Sequence, residues 1–284
     1  MASSGFSQPK RSLGQNFLSD PNICRRIVAA AELGPADPVL EIGPGRGALT
    51  RVLAGHAGPV MALEKDSQLV RFIRQEFPRV GVVHADGLEF CWEGTGGLPG
   101  LTIVGNLPYN VASPMIWEMV HRCRSWKTML FMVQKEVALR LTAQAGSRTY
   151  GALSAWVGNF VRAEYVFTVP PHVFTPRPKV DSAIVRFRPR PDPAEGEAAA
   201  LSRLLKILFQ QRRKQLGTIL KAHWTEAIER WCEQAGVDRR VRPEDLGPDM
   251  LRSLAPLLGC EKKGERDPKS PCSGIGFSWT PNWE

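Results

Sequence analysis

Asn106-Leu107-Pro108-Tyr109 is the stretch of this chain best equipped for chemistry. It follows directly on the apolar run Leu101-Thr102-Ile103-Val104-Gly105, so a short buried strand breaks into four unusual groups at the edge of a sheet. The Asn106 amide offers an acceptor oxygen and two donors. Pro108 fixes its own φ, lacks an N–H and pushes Leu107 toward extended backbone. Main-chain carbonyls of Leu107 and Pro108 are thereby free to point into a pocket. Tyr109 adds a flat π-face. Together these groups suit a planar base, with carbonyl oxygens on its exocyclic amine and an aromatic ring on its face. The lone pair of such an amine is delocalised into the base, which makes the nitrogen a poor nucleophile. Acceptors on its two N–H bonds localise the pair toward an electrophilic carbon, so catalysis is mainly positioning and electrostatics. No strong base is required before attack, because the nitrogen becomes acidic once alkylated.

A second group of residues suits the donor of that carbon. Gly43-Pro44-Gly45-Arg46-Gly47 follows the apolar run 38–42 and precedes a helical stretch. Glycines at that place, Gly43 and Gly45 first, let backbone approach a ligand closely. The spacing is not the G-x-G-x-x-G of dinucleotide sites, although alone it serves either kind of ligand. A pyrophosphate would use the helix N-terminus. S-adenosylmethionine has no phosphate and carries an ammonium, so it suits acidic and carbonyl groups. Glu64 ends the apolar run 60–63, where a carboxylate accepts both ribose hydroxyls. Asp86 follows the run 80–84 and is placed to accept from an adenine amine. Glu41 precedes the loop and is placed to orient it. Each carboxylate taken singly also reads as a solvated strand end.

The elements that must position these groups are legible as alternating apolar runs and helical repeats. Strands are predicted over 38–42, 60–63, 80–84, 101–105, 128–133, 165–169 and 183–187. Helices are predicted over 48–53, 67–77, 113–121, 136–141 and 152–160. An earlier helix opens at Asp20-Pro21, with Asp as N-cap and Pro at the first helical position, and closes at Gly34-Pro35. Alternation of this kind implies an α/β fold, a doubly wound, mostly parallel sheet with helices on both faces. Ligands in such sheets sit beyond the carboxyl ends of the strands. Gly43 to Gly47, Glu64, Asp86 and Asn106 all fall at strand ends.

The 284 residues organise further into a flexible arm at 1–10, a catalytic domain at 11–190, a small all-helical C-terminal domain at 197–258 and a disordered tail at 259–284. A Pro- and acid-rich linker joins the two domains. Leu204, Leu205, Leu208, Leu216, Ile219 and Leu220 recur at helical spacing, and residues 201–230 hold seven basic side chains against two acidic ones. With a formal charge of +9, that stretch is the electrostatic footprint of a nucleic-acid partner, although a generically basic protein carries the same excess. No run approaches the ~18 apolar residues of a membrane span. The six cysteines form no C-x-x-C pair and the five histidines show no ligand spacing. Reduced thiols, no bound metal and a cytoplasmic location are therefore expected. Nothing marks a dimer face, so a monomer is expected.

Several of these segments together resemble a known family, the ribosomal RNA adenine N6,N6-dimethyltransferases. They are Arg11-Ser12-Leu13-Gly14-Gln15-Asn16-Phe17-Leu18, Glu41-Ile42-Gly43-Pro44-Gly45-Arg46-Gly47, Asn106-Leu107-Pro108-Tyr109-Asn110 and Val173-Phe174-Thr175-Pro176-Arg177-Pro178-Lys179-Val180-Asp181-Ser182. Phe209-Gln210-Gln211-Arg212-Arg213-Lys214 is similar to the family's basic helix. The likeness runs from about residue 10 to 258, and its ordered combination is specific where each motif alone is not. Within the family the chain looks most like the bacterial branch that dimethylates two adjacent adenines near the 3′ end of small-subunit (16S) ribosomal RNA. The antibiotic-resistance branch, which acts on large-subunit rRNA, is the nearest alternative. A non-catalytic RNA-binding assembly protein, or an enzyme acting on DNA adenine or protein glutamine, are the others; the last two more often carry a different residue after the Asn.

The resemblance implies a class I S-adenosylmethionine-dependent methyltransferase with that compound as cofactor. It implies cofactor contacts from Asn16, Leu18, Gly43, Glu64, Asp86 and Asn106. Tyr109 and Phe174 match aromatic positions around an everted target base, where each would return roughly 1–3 kcal/mol of stacking. Asn106 and a carbonyl of Leu107 or Pro108 would hold the amine, and one N–H survives the first transfer, so the pocket can act twice. Arg212, Arg213 and Lys214, on a basic helix over 203–221, would contact phosphates and position the small-subunit RNA rather than read it, with Arg11, Arg25 and Arg26 adding to that surface. The tail beyond Gly259 departs from the family pattern.

Overall fold

Apolar runs that end in Gly, Glu or Asn alternate with amphipathic repeats, and the chain folds as that alternation dictates. The computed structural model describes residues 15–55, 58–190 and 198–258. The arm expected at 1–10 and the tail expected at 259–284 lie outside the described residues. In order, the first elements are β1 (Phe17–Leu18), α1 (Pro21–Ala30), β2 (Val39–Ile42), α2 (Ala48–Leu53), β3 (Val60–Glu64), α3 (Ser67–Glu76) and β4 (Gly81–His84). They are followed by β5 (Leu101–Asn106), α4 (Ala112–Arg122), β6 (Trp126–Gln134), α5 (Lys135–Leu141), α6 (Ala152–Phe160), β7 (Val161–Val169), β8 (Phe174–Thr175) and β9 (Ser182–Pro189). Four helices close the described chain: α7 (Ala198–Phe209), α8 (Leu216–Ile219), α9 (Glu226–Ala235) and α10 (Pro248–Leu254).

Seven strands form the main sheet in the order β4-β3-β2-β5-β6-β9-β7. The first five are mutually parallel, while β9 and β7 pair antiparallel at one side. The strand order reverses at β2, which lies between β3 and β5. That switch point, where connections leave in opposite directions, is where such sheets open a crevice. Two buried clusters cover the two faces. One contains Leu40, Ile103, Ile116, Phe131 and Trp156 and extends into Leu204, Leu208 and Leu251 of the C-terminal helices. The other contains Ile23, Ile27, Val39, Leu53, Ile73, Val104 and Ile184. The C-terminal helices thus share a core with the sheet domain, and Tyr150 Oη seals the seam by donating to the Leu246 carbonyl at 2.9 Å.

Local signals at α1 hold: Asp20 caps the helix, its side chain accepting from the Asn22 and Ile23 N–H groups at 2.7 and 3.2 Å, with Pro21 first in the helix. Two features differ from expectation. The first is a two-stranded sheet, in which β1 pairs antiparallel with β8, Leu18 opposite Phe174. The second is the basic stretch over 203–221, which is not one helix. It ends at Phe209, turns, and resumes briefly at Leu216–Ile219. The break has a cause in the fold, because the Leu216 and Gly217 N–H groups donate to the Val241 and Arg239 carbonyls at 2.8 and 2.9 Å. Cys24, Cys123 and Cys232 are free and buried. Among the described residues no helix is long and apolar enough to cross a membrane, and no cluster of His, Cys, Asp or Glu could hold a metal.

Candidate active site

β2 delivers the glycine loop to the crevice. Gly43, Gly45 and Gly47 have φ of 66°, 56° and 76°, the left-handed region that L side chains avoid. Space forbids side chains as well, since a Cβ on Gly47 would lie 2.4 Å from the Phe77 ring and one on Gly45 would lie 2.9 Å from Phe17. The loop is therefore clamped between α3 and β1, and the Arg46 guanidinium lies 4.8 Å from the centre of the Phe17 ring.

Beneath the loop, Glu41 is 2 % exposed. Thr50 Oγ1 donates to its Oε2 at 2.7 Å. Burial pushes the Glu41 carboxyl up to about 7, the Thr50 hydrogen bond opposing and the Glu64 charge adding. Its role is to brace α2 against the loop. Glu64 ends β3 at the crevice and is also buried. Its two oxygens accept from the Asp66 N–H at 2.8 Å and the Gly45 N–H at 3.4 Å. Burial raises its pKa above the ordinary value, partly offset by those N–H groups. A carboxylate has about four lone-pair positions, so two backbone donors orient Glu64 and leave capacity for ligand hydroxyls. Asp86 is half-buried beyond β4. Desolvation pushes its carboxyl up, but the Lys65 hydrogen bond at 2.5 Å, the Leu88 N–H at 3.0 Å and the Lys65 charge outweigh that and hold it below the usual range.

Asn106 ends β5, and its Nδ2 donates to the Asn16 carbonyl at 2.8 Å. That bond turns the amide so that Oδ1 is the group left to accept. β5 can lie close to β2 here because residue 105 is Gly; a Cβ there would meet the Ile42 carbonyl at 2.8 Å. The Pro108 carbonyl is not available to a ligand, because it accepts from both the Val111 and Ala112 N–H groups at 3.0 Å as α4 begins. Of the two carbonyls read from the sequence as acceptors, Leu107 is therefore the one left. The Tyr109 hydroxyl lies 2.5 Å from Ser182 Oγ. Burial raises the Tyr109 phenol above its ordinary value, with the Ser182 bond opposing, so the ring is neutral at physiological pH.

One cavity collects these groups. About 960 Å³ of space, including its open mouth, is lined by Asn16, Gly43, Gly45, Glu64, Asp86, Asn106, Leu107, Pro108 and Tyr109. Two predicted site residues lie elsewhere. Leu18 is buried beside a smaller cavity beneath the loop. Phe174, expected as a second stacking face, is 3 % exposed and packs with Leu18, Val173 and Ile184, where β8 pairs with β1. Arg212, Arg213 and Lys214 stand in the turn after α7. Arg212 Nη2 is held by Glu244 at 3.1 Å and the Arg148 carbonyl at 3.3 Å. Phe17, Lys65, Leu88, Val111 and Met115 also line the main cavity and were not read from the sequence. Val111 and Met115 carried a signal, an apolar pair one helical turn apart directly after Tyr109. Phe17 and Leu88 carried none.

The donor set fits S-adenosylmethionine. Carboxylates at the ends of β3 and β4 face one space, and the loop's glycines let its backbone approach that space closely.

Comparison with known proteins agrees with this geometry. The sequence model of the family described as ribosomal RNA adenine dimethylase matches residues 6–255. The chain is 46 % identical over 248 residues to ribosomal RNA small subunit methyltransferase A of Maridesulfovibrio salexigens, covering 86 % of this chain and 94 % of that protein. It is 39 % identical over 265 residues to the same-named protein of Pseudomonas fluorescens, covering 91 % and 97 %. Among solved structures, a dimethyladenosine transferase from Plasmodium falciparum superposes with a TM-score of 0.70 at 26 % identity, covering 84 % of this chain and 96 % of that one. The 23S rRNA methyltransferase ErmE superposes with a TM-score of 0.66 at 29 % identity, covering 86 % and 99 %. With a class I fold, a cavity built for S-adenosylmethionine and a family match over most of its length, this chain belongs to the ribosomal RNA adenine dimethylases and is an S-adenosylmethionine-dependent methyltransferase.

Proposed function

We propose that this enzyme dimethylates N6 of two adjacent adenines near the 3′ end of small-subunit ribosomal RNA, as a cytoplasmic monomer acting during small-subunit assembly. The observation that carries the reading is the pairing of two acceptors that take no hydrogen bond among the described residues, Asn106 Oδ1 and the Leu107 carbonyl, with Tyr109 in the lining of the cofactor cavity. The high identity to proteins named small subunit methyltransferase A supports the small subunit over the large.

Bound S-adenosylmethionine supplies a methyl carbon made electrophilic by its sulfonium. Glu64 and Asp86 would take the ribose hydroxyls and adenine amine, with Asn16, Gly43, Gly45 and Asn106 completing the wall. Tyr109 would receive the everted base on its face. Asn106 Oδ1 and the Leu107 carbonyl would accept the two N6–H bonds and concentrate the lone pair toward the methyl. N6 would take the methyl carbon from the cofactor so held, whose sulfonium sulfur leaves as the thioether, and would give up one proton to solvent. The monomethylated nitrogen still has one N–H, so the same acceptors serve a second round. Arg213 and Lys214 would contact phosphates. Mass spectrometry of rRNA from cells lacking this chain tests the reading: dimethyladenosine should vanish from small-subunit RNA. Loss from large-subunit RNA alone, or from neither, refutes it.

A further inference from the structure

We propose that Ser182 is a positioning residue that sets the ring of Tyr109, and that it governs the second methyl transfer more than the first. The proposal rests on the reading of Tyr109 as the stacking face. Tyr109 sits on the loop after β5, yet its hydroxyl is fastened to Ser182 at the start of β9, across the width of β6. The fastening point is rigid. Ser182 is fully buried and registers with Gln134 of β6 on one side and Val169 of β7 on the other. Directly before it, the Asp181 carbonyl accepts the Lys135 N–H at 2.9 Å. A ring on a loop would otherwise turn about its side-chain torsions, and the bond to a strand two places away removes that freedom. The need for a bond explains why this position holds a phenol rather than a plain phenyl ring.

The two rounds depend on the ring unequally. An unmodified adenine offers two N6–H bonds to Asn106 Oδ1 and the Leu107 carbonyl. After one transfer only one remains, and stacking carries a larger share of the orientation. Phe17, the other aromatic lining this cavity, lies against the glycine loop, so Tyr109 is the ring next in chain to the two acceptors. Loosening the ring therefore penalises the second round most.

The test compares wild type, Ser182→Ala, Tyr109→Phe, the double variant and Ser182→Thr on the rRNA that the wild type dimethylates. Ser182→Ala and Tyr109→Phe should each lower kcat/KM roughly three- to tenfold, the range of one neutral hydrogen bond. Each should raise the ratio of monomethyl- to dimethyladenosine several-fold, with S-adenosylmethionine affinity unchanged. The double variant should be no worse than either single one, and Ser182→Thr should restore the wild-type ratio. Tyr109→Phe breaks the same bond from the half-buried side, so the result stands even if Ser182→Ala folds poorly. A wild-type product ratio in Tyr109→Phe overturns the proposal, as do effects that multiply in the double variant or a parallel loss of cofactor binding. Wild-type enzyme that leaves small-subunit RNA unmodified instead overturns the substrate reading, and the variant comparison is then made on the RNA it does modify.

Discussion

Two side chains show how one residue's surroundings decide its task. Asn106 has its nitrogen occupied by the Asn16 carbonyl, which leaves oxygen for the substrate. Asn106→Ala should lower methyl transfer about 100- to 1000-fold, the cost of deleting one preorganised polar group at a reacting centre, while S-adenosylmethionine binding stays measurable by calorimetry. Turnover near wild type would remove Asn106 from the mechanism. Glu41 is the opposite case, a carboxyl 2 % exposed beneath the glycine loop. Its folded-state pKa of about 7 lies above the ordinary 4.5, so the folded protein binds the Glu41 proton more tightly than the unfolded chain. Stability from that proton is fully present below 4.5 and is lost as pH rises toward and past 7. Glu41→Gln keeps an acceptor for Thr50 and has no proton to lose. Between pH 5 and 8 the variant should gain on wild type by up to ~3 kcal/mol in denaturant unfolding. Parallel stability curves would show that Glu41 does not titrate in this range. The acceptor role of Asn106 was legible from its place after an apolar run. The burial of Glu41 was not, because a carboxylate near a strand end also reads as solvated, and it is the place of β2 between β3 and β5 that encloses it.

Elements were legible where periodicity was long and their ends were marked. β2, β3 and β5 read as apolar runs ending at Gly43, Glu64 and Asn106, and the structure places those ends around one cavity. β1 and β8 were illegible, since strands of two residues have no period to detect. Their pairing nevertheless decides that Phe174 faces the core and that Phe17 closes on the loop. The turn after α7 was hidden for a related reason. Leucines continue at helical spacing through Leu220, and the break comes from backbone partners at Arg239 and Val241, distant in sequence. The clamp on the glycine loop yields a prediction of its own. Gly47→Ala would place a methyl where φ is 76° and Phe77 lies 2.4 Å away. Backbone strain and overpacking together should cost roughly 2–5 kcal/mol, read as a lower Tm, with cofactor affinity falling alongside it. An unchanged Tm would mean that the loop is free to move off α3.

At the scale of the whole molecule, the excess of positive charge matters only where it is not already spent internally. The +9 balance does not identify an RNA surface, because many arginines are engaged: Arg186 and Arg188 with Glu32 and Glu164, Arg190 with Asp249, and Arg212 with Glu244. Arg213 and Lys214, exposed in the turn after α7, have no ion pair among the described residues. The three neighbours should therefore separate by experiment. Neutralising Arg213 and Lys214 together should flatten the dependence of log K on log salt for rRNA binding by about 1.4 to 1.8, the loss of two phosphate contacts. Arg212→Ala should leave that slope in place and lower Tm instead, because its guanidinium ties the turn to Glu244 and to the Arg148 carbonyl of the sheet domain. A salt slope unmoved by the Arg213/Lys214 change would shift the RNA-facing surface away from this turn. A slope that falls with Arg212→Ala would mean that the Glu244 pair opens when RNA arrives.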